Sequence, residues 1–441
     1  MDLEGFAKRG LKKAETNLEA KLARRILEIK NVPEQRAFEL ARAVISEAKA
    51  TLSPKNKLLG FYNSGVTMGD FGVGSRGKGD FYVHSKIAEV IGETGAVIDS
   101  SQMDDGGVVK SHGKFIVVAV DGMHSRLSDF PFLAGFHAAR ASLRDVYVMG
   151  AAPVALFSDI HVADDGDVSK IFDYVAGTAS VSEACAVPYV SGSTLRIGGD
   201  MVIGERMTGC VGAVGVADSL TPRKGARVGD VILMTEGSGG GTISTSALYF
   251  QREGVVKETL NVKFLQSCEL LLRAGLTKRI HAMTDVTNGG IRGDANEIAS
   301  SAGVKIVLEE GKLRSLVNRK VLKMLNELDI DYLGVSIDSL LMIAPPSVAE
   351  KIKTTLRRSK IAVDEVGWVE KGKGCEIIIG GQRGELVTKF RESAYTPLKK
   401  VVGETAQKNF EEMKREVDKA VRAAVKKKVE VTKKIKRQSS R

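Results

Sequence analysis

The chain has 441 residues, 43% of them hydrophobic, and a net charge of +11; this length exceeds a typical single domain and predicts two, each with a sizeable core. The charge belongs to the tail: residues 408–441 hold 13 Lys/Arg against 5 Asp/Glu, which leaves the body near neutral and argues against nucleic acid as its partner. Cys185, Cys210, Cys268 and Cys375 form no Cys-x-x-Cys pair, no signal peptide opens the chain and no apolar run approaches a membrane helix, so zinc, secretion and membrane are excluded in favour of a reducing cytoplasm.

Residues 1–56 read as a helical extension. Leu11, Leu18, Leu22 and Ile26 fall at helical spacing, the pattern breaks at Asn31-Val32-Pro33, and Ala37, Leu40, Val44 and Ile45 continue it, which predicts a helical hairpin. Asn63 to Asp80 is glycine-rich and poor in apolar residues, and is expected to be a loop or flexible arm. Within it, Gly72-Val73-Gly74-Ser75-Arg76-Gly77-Lys78 satisfies Gly-x-Gly-x-x-Gly and the first seven positions of a P-loop. Gly79, however, stands where a P-loop needs Ser or Thr to hold magnesium, and no strand precedes it.

From 57 to 217, strand-like runs at Val108-Val109, Phe115 to Val120, Val154 to Phe157 and Cys210 to Val216 alternate with helical patterns at Phe132 to Val148 and Ile171 to Ala184. That alternation predicts an α/β or α+β class. A boundary is expected at Asp218 to Gly229, where Pro222, Gly225 and Gly229 interrupt. From 218 to 400 the mixture repeats, with strands Val231 to Met234, Val304 to Leu308 and Ser339 to Ile343 and helices Leu260 to Ala274, Asp294 to Ser301 and Val348 to Arg358. In the basic tail, 401–441, Phe410, Met413, Val417, Val421 and Ala424 share one helical face, predicting an amphipathic helix that docks on the body or a second subunit, with a disordered basic end.

Aspartates in four segments carry the chemistry: Asp104 and Asp105 in Met103 to Gly107, Asp121 in Val120 to Gly122, Asp145 in Arg144 to Pro153, and Asp285 in Met283 to Gly290. Each abuts glycine or an apolar run, where a bare carboxylate is costly unless something pairs with it. Convergence on hard cations accounts for them together, since carboxylate oxygens suit magnesium and nucleotide phosphates complete its octahedron. Asp145 is placed at a helix C-terminus, where the dipole offers it nothing. Thr287, Gly289 and Gly290 form a strand-to-helix junction able to receive an anion, and Gly239, Gly240, Gly241 and Thr242 offer a second cradle for a substrate phosphate or carboxylate.

The order of these segments resembles the superfamily of aminoimidazole ribonucleotide (AIR) synthetase, which includes thiamine monophosphate kinase, selenophosphate synthetase and a hydrogenase maturation protein. Asp104-Asp105-Gly106 resembles its Asp-Asp-Ala turn, Arg144 to Pro153 its Asn-Asp-Ile-x-x-Met-Gly-Ala-x-Pro segment, and Met283 to Gly290 its Met-x-Asp-x-Thr-x-Gly-Gly. The resemblance implies two AIR synthase-like domains (57–217 and 218–400), the first forming a strand barrel in a homodimer. It implies ATP and Mg2+ as cofactors, Asp105, Asp121, Asp145 and Asp285 as metal ligands, and Lys78 or Arg76 reaching the phosphates from a closing arm. Catalysis would fall to Lys78, Asp121 and Asp285, with His124 and His281 near enough in sequence to consider as bases.

The chain departs from each named branch. No cysteine lies in Asn63 to Asp80, as selenophosphate synthetase requires, and none lies at the C-terminus, as the hydrogenase maturation protein requires. Ser336 to Leu341 lacks the Glu and Tyr of the thiamine monophosphate kinase motif. An ATP-dependent phosphoryl transfer to an unidentified small molecule is therefore the expected activity; the alternative is a nucleotide-binding scaffold that grips protein partners with its helical ends.

Overall fold

A computed structural model describes residues 1–53 and 56–439. The extension forms three helices where a hairpin was expected: α1 (Leu3–Lys12), α2 (Leu18–Leu27) and α3 (Glu34–Thr51). Ala14 and Asn17 take left-handed backbone, with φ of 51° and 59°, which costs about 1–2 kcal/mol each for an L-residue. The resulting turn lets Leu3, Leu22, Ile26 and Val44 close a small core with Ile203 of the body. Lys30, paired with Asp164 and Asp165, ties this bundle down. The glycine-rich stretch also holds more structure than its composition suggests: α4 (Met68–Phe71), with a reciprocal Thr67/Asp70 cap, and the start of α5 (Lys78–Ile91).

The first sheet contains β1 (Gly107–Ser111), β2 (Lys114–Gly122), β3 (Ala152–Val162), β4 (Tyr189–Arg196) and β5 (Met207–Ala217), in the order β1-β2-β5-β3-β4. Its buried residues, among them Val117, Leu156, Ile160 and Val211, pack with those of α6 (Pro131–Val148) and α7 (Ser169–Cys185). These helices cross closely because each has glycine at the contact: a Cβ at Gly135 would lie 2.0 Å from the Tyr174 carbonyl oxygen, and one at Gly177 2.1 Å from that of Phe132. Val118, Val120, Val154 and Phe157 remain exposed, as do Val190 and Leu195 on the edge strand β4.

The second sheet contains β6 (Val231–Thr235), β7 (Ala282–Asp285), β8 (Lys305–Glu309), β9 (Leu340–Ala344), β10 (Val363–Glu370), β11 (Gly374–Ile379) and β12 (Gln382–Glu385), in the order β12-β11-β8-β10-β6-β9-β7. It is accompanied by α8 (Gly241–Tyr249), α9 (Val256–Thr259), α10 (Lys263–Arg273), α11 (Gly290–Ala302), α12 (Glu310–Leu316), α13 (Arg319–Glu327) and α14 (Pro346–Arg358). β9 is buried at every position, which is why it reads as an unbroken apolar run.

The tail supplies α15 (Pro397–Val402) and α16 (Phe410–Ser439). Phe410 of α16 meets Phe71, Tyr82 and Phe390 at ring-centroid distances of 5.3, 6.4 and 5.4 Å, and Asp418 accepts a hydrogen bond from Tyr82 at 2.7 Å. The basic end expected to be disordered is helical through Ser439; Ser440 and Arg441 lie outside the described residues. Among the described residues, no helix is long and apolar enough to cross a membrane.

Candidate active site

Four elements bring the aspartates to one place. Asp105 precedes β1, Asp121 lies in β2, and Asp285 ends β7. Asp145 sits in the last turn of α6, at the helix C-terminus where the sequence placed it. Carboxylate oxygens of Asp105, Asp145 and Asp285 lie within 4.8 Å of one another, and Asp121 stands close enough for its charge to act on Asp145. Burial raises the pKa of all four. For Asp145, the charges of Asp121 and Asp285 push it further, and burial takes Asp285 to about 6 against the pull of Arg144.

Buried cations surround the cluster. Arg144 Nε lies 2.9 Å from Asp285 Oδ2, although the pair lacks the alignment of a hydrogen bond. Asp338 bridges Arg144 and Arg140. Arg223 pairs with Asp105 and with Glu297, and Arg76 reaches in from the arm to Asp294 at 3.2 Å and Glu297 at 2.9 Å. Asp104 faces the Arg223 backbone N–H, which donates to it at 3.2 Å, and so secures that loop instead of joining the cluster.

Asp121, Asp145 and Asp285 open into a cavity of about 860 Å³, whereas Asp105, paired with Arg223, is not part of its lining. Asp121, Asp145, Asp285, Thr287 and Arg76 line it, together with Gly240, Gly241 and Thr242 at the start of α8. Thr242 donates to Asn288 at 2.7 Å, joining the two glycine-bearing segments. Gly239 lies behind them, its carbonyl accepting from Arg140 at 2.9 Å. Gly289 and Gly290 open α11 with φ of 84° and 61°. A Cβ on Gly289 would stand 2.5 Å from the Arg76 carbonyl oxygen, so this glycine is what admits the arm.

Lys78 is exposed at the start of α5, its N–H bonded to the Lys389 carbonyl, and is not among the residues lining the cavity. Arg76 does line the cavity, paired with Asp294 and Glu297. His281 is bonded to Asp230 at 2.9 Å, away from the cavity. His124 does line the cavity, held between Tyr395 at 2.8 Å and Thr245 at 3.1 Å, and burial lowers its pKa to about 4.

Sequence reading missed His137, Arg140, Arg223 and Asp338, and gave Arg144 no role. A signal was present for three of these: His137, Arg140 and Arg144 recur at helical spacing within an otherwise apolar helix. It also missed the wall formed by Arg391, Glu392, Tyr395 and Lys399.

The donor set fits a divalent cation. Asp121 Oδ2 and Asp285 Oδ2 are buried without a hydrogen-bond partner, and clustered carboxylate oxygens suit a hard ion such as Mg2+.

Residues 103–217 match the family described as AIR synthase related protein, N-terminal domain, and residues 227–380 match its C-terminal domain. The chain belongs to the AIR synthase-related family. A relative from Methanocaldococcus jannaschii, named uncharacterized protein MJ1416, is 52% identical, with 97% of each chain covered. A selenide, water dikinase from Myxococcus xanthus is 27% identical over 48% of this chain and 60% of its own length, so the alignment spans less than two thirds of that enzyme. Among solved structures, AaThiL complexed with AMPPCP and TMP superposes with a TM-score of 0.54 at 19% identity, covering 70% of this chain and 95% of that one. The fold is thus the mixed α/β, two-sheet fold of this family, which includes ATP-using kinases. The arm before residue 103 and the wall at 391–402 lie outside the matched residues.

Proposed function

We propose that the protein is an ATP- and Mg2+-dependent phosphoryl-transfer enzyme acting on a small molecule. The observation that carries this reading is the approach of Asp105, Asp145 and Asp285 to within 4.8 Å at a cavity large enough for a nucleotide and a second ligand. With Asp121 they would hold magnesium, which supplies charge neutralisation for the phosphates.

The chain's own residues do the rest. Arg144 and Arg223 fix the carboxylates of Asp285 and Asp105 before ligand arrives. Arg76 presents a cation from the arm, and the arm with the 391–402 wall excludes water from the reacting groups. Lys78 would contribute only if α5 shifts inward. Gly240 to Thr242 would orient the acceptor with backbone N–H groups and the Thr242 hydroxyl. The exposed apolar residues of β2, β3 and β4 support the homodimer that the resemblance implies.

Calorimetric titration with a non-hydrolysable ATP analogue, with and without Mg2+, tests this reading. Magnesium-dependent binding should vanish in Asp121→Asn, Asp145→Asn and Asp285→Asn while each variant stays folded. Equal binding without magnesium, or in all three variants, would remove the basis for the assignment.

A further inference from the structure

His137 stands at the mouth of α8, and its hydrogen bonds settle which of its nitrogens carries the proton. Thr259 Oγ1 donates to the Val256 carbonyl at 2.7 Å, so the single Thr259 hydroxyl proton is committed there. Ser244 Oγ lies 2.7 Å from Thr259 Oγ1 and must donate to it. Ser244 then has only lone pairs to offer His137 Nε2, 2.9 Å away, which makes Nε2 the protonated nitrogen. Burial and the neighbouring Arg140 and Arg144 hold the ring neutral. Nδ1 is left as a bare acceptor, buried and without a partner, on a residue only 6% exposed that lines the cavity.

What surrounds Nδ1 is otherwise made of donors. Gly240 precedes α8, a nine-residue helix whose N-terminus no side chain caps. The point a Gly240 Cβ would occupy lies 3.0 Å from an Arg140 terminal nitrogen, 3.9 Å from His137 Nδ1 and 4.0 Å from an Arg144 terminal nitrogen. Arg140 spends its terminal N–H groups on the Thr259, Asn261 and Gly239 carbonyls and on Asp338, which it shares with Arg144, and so lends the cradle positive charge; the other carboxylates acting on Arg144, those of Asp285, Asp145 and Asp121, belong to the cluster assigned to metal. Helix N–H groups and guanidinium groups call for an oxyanion. An unprotonated imidazole nitrogen among them calls for one that also carries a proton.

We infer that this subsite binds an oxyanion bearing its own hydrogen-bond donor, such as a hydrogen phosphate or an acid with an adjacent hydroxyl, with Nδ1 of His137 accepting from that donor. The inference deepens the phosphoryl-transfer reading by naming the acceptor's chemical class: an anionic molecule whose O–H points at His137. A fully ionised oxyanion of the same size satisfies the donors but leaves the Nδ1 lone pair facing an oxygen lone pair, so the subsite binds it less tightly.

Inorganic phosphate and sulfate separate these cases, because near pH 7 phosphate keeps a P–OH and sulfate has none. Calorimetric titration of the full chain with each anion should show phosphate binding more tightly by about tenfold, the worth of one hydrogen bond made by one ion and denied to the other. His137→Phe should bring the two affinities together. Gly240→Ala, which places a methyl in the cradle and leaves His137 alone, should weaken both. Equal binding of the two anions by the unaltered protein, or no phosphate binding at millimolar concentration, would overturn the inference without recourse to any variant. Because the titrations need neither nucleotide nor magnesium, they can succeed where the ATP-analogue titration fails, or the reverse, and the two readings fail separately.

Discussion

Arg144 on α6 and Asp285 at the end of β7 face one another across the junction of the two sheets, Nε to Oδ2 at 2.9 Å, and Asp338 holds the other side of the same guanidinium. The family motif places Asn at this position, so the chain has put a permanent cation beside the carboxylate cluster. Such a cation reduces the cost of bringing Asp121, Asp145 and Asp285 together in the ligand-free protein.

Arg144→Asn should therefore destabilise the metal-free protein by about 3–5 kcal/mol, the usual cost of leaving a buried charge unpaired. Added Mg2+ should recover more stability in the variant than in the parent. Thermal unfolding with and without Mg2+ reads both; an unchanged melting temperature would show that Arg144 carries no such load.

Acidity should act in opposite directions on the two forms. Asp285 is raised to about 6 and Asp145 further in the same direction, whereas both titrate near 4 when unfolded. Between these values the folded chain binds more protons than the unfolded one, so the cluster's contribution to metal-free stability falls as pH rises from about 4 through the folded pKa values. Magnesium must displace those protons, so its affinity should rise over the same window. Calorimetry at pH 5 and pH 7.5 should give weaker Mg2+ binding at the lower value.

Gly289→Ala adds a methyl 2.5 Å from the Arg76 carbonyl oxygen at a backbone φ of 84°. The cost should be about 1–3 kcal/mol, and the arm should be pushed outward. Nucleotide affinity, measured by titration with an ATP analogue, should fall although residue 289 contributes no side chain.

Removing residues 407–441 should free the arm and the segments that flank it, because Phe410 packs on Phe71, Asp418 holds Tyr82, and Lys427 and Lys428 bond the Gly60 and Val90 carbonyls. If the arm then spends about a tenth of its time closed, apparent nucleotide affinity drops about tenfold. Limited proteolysis should cut between residues 60 and 91 faster than in the full chain, while the two sheets stay intact.

Phe157→Arg places a charge on the exposed face of the first sheet, where Val118, Val120 and Val154 also lie open. Light scattering should report a dimer for the parent and a monomer for the variant. A monomeric parent would leave the exposed face without the proposed partner.

Much of this was legible in the sequence because the aspartates fall in short motifs whose local structure is self-contained: Asp121 in an apolar strand, Asp285 before paired glycines. The class and most elements followed from periodicity, as with Phe132 to Val148, which becomes Pro131–Val148. The illegible parts depended on contacts distant in sequence. Nothing near Arg223 announces Asp105, 118 residues earlier. Composition alone made Asn63 to Asp80 a loop, because the residues that order it, Phe390, Arg391 and Phe410, lie more than 300 positions away. The helical hairpin became three helices since periodicity does not register the left-handed turns at Ala14 and Asn17.

The docking of the arm against residues 389–391 also sets an order of manufacture. Arg76 is made early, but the groups that hold its segment in place, the Lys389 carbonyl, Phe390 and the ring of Phe410, emerge last. A chain terminated between residues 297 and 389 carries every aspartate of the cluster, and the Asp294 and Glu297 partners of Arg76, but lacks the Lys389, Phe390 and Phe410 contacts that seat the arm over it. Such truncated products would lack the seat of the arm, so the closed cavity is a property of chains that extend through Phe410.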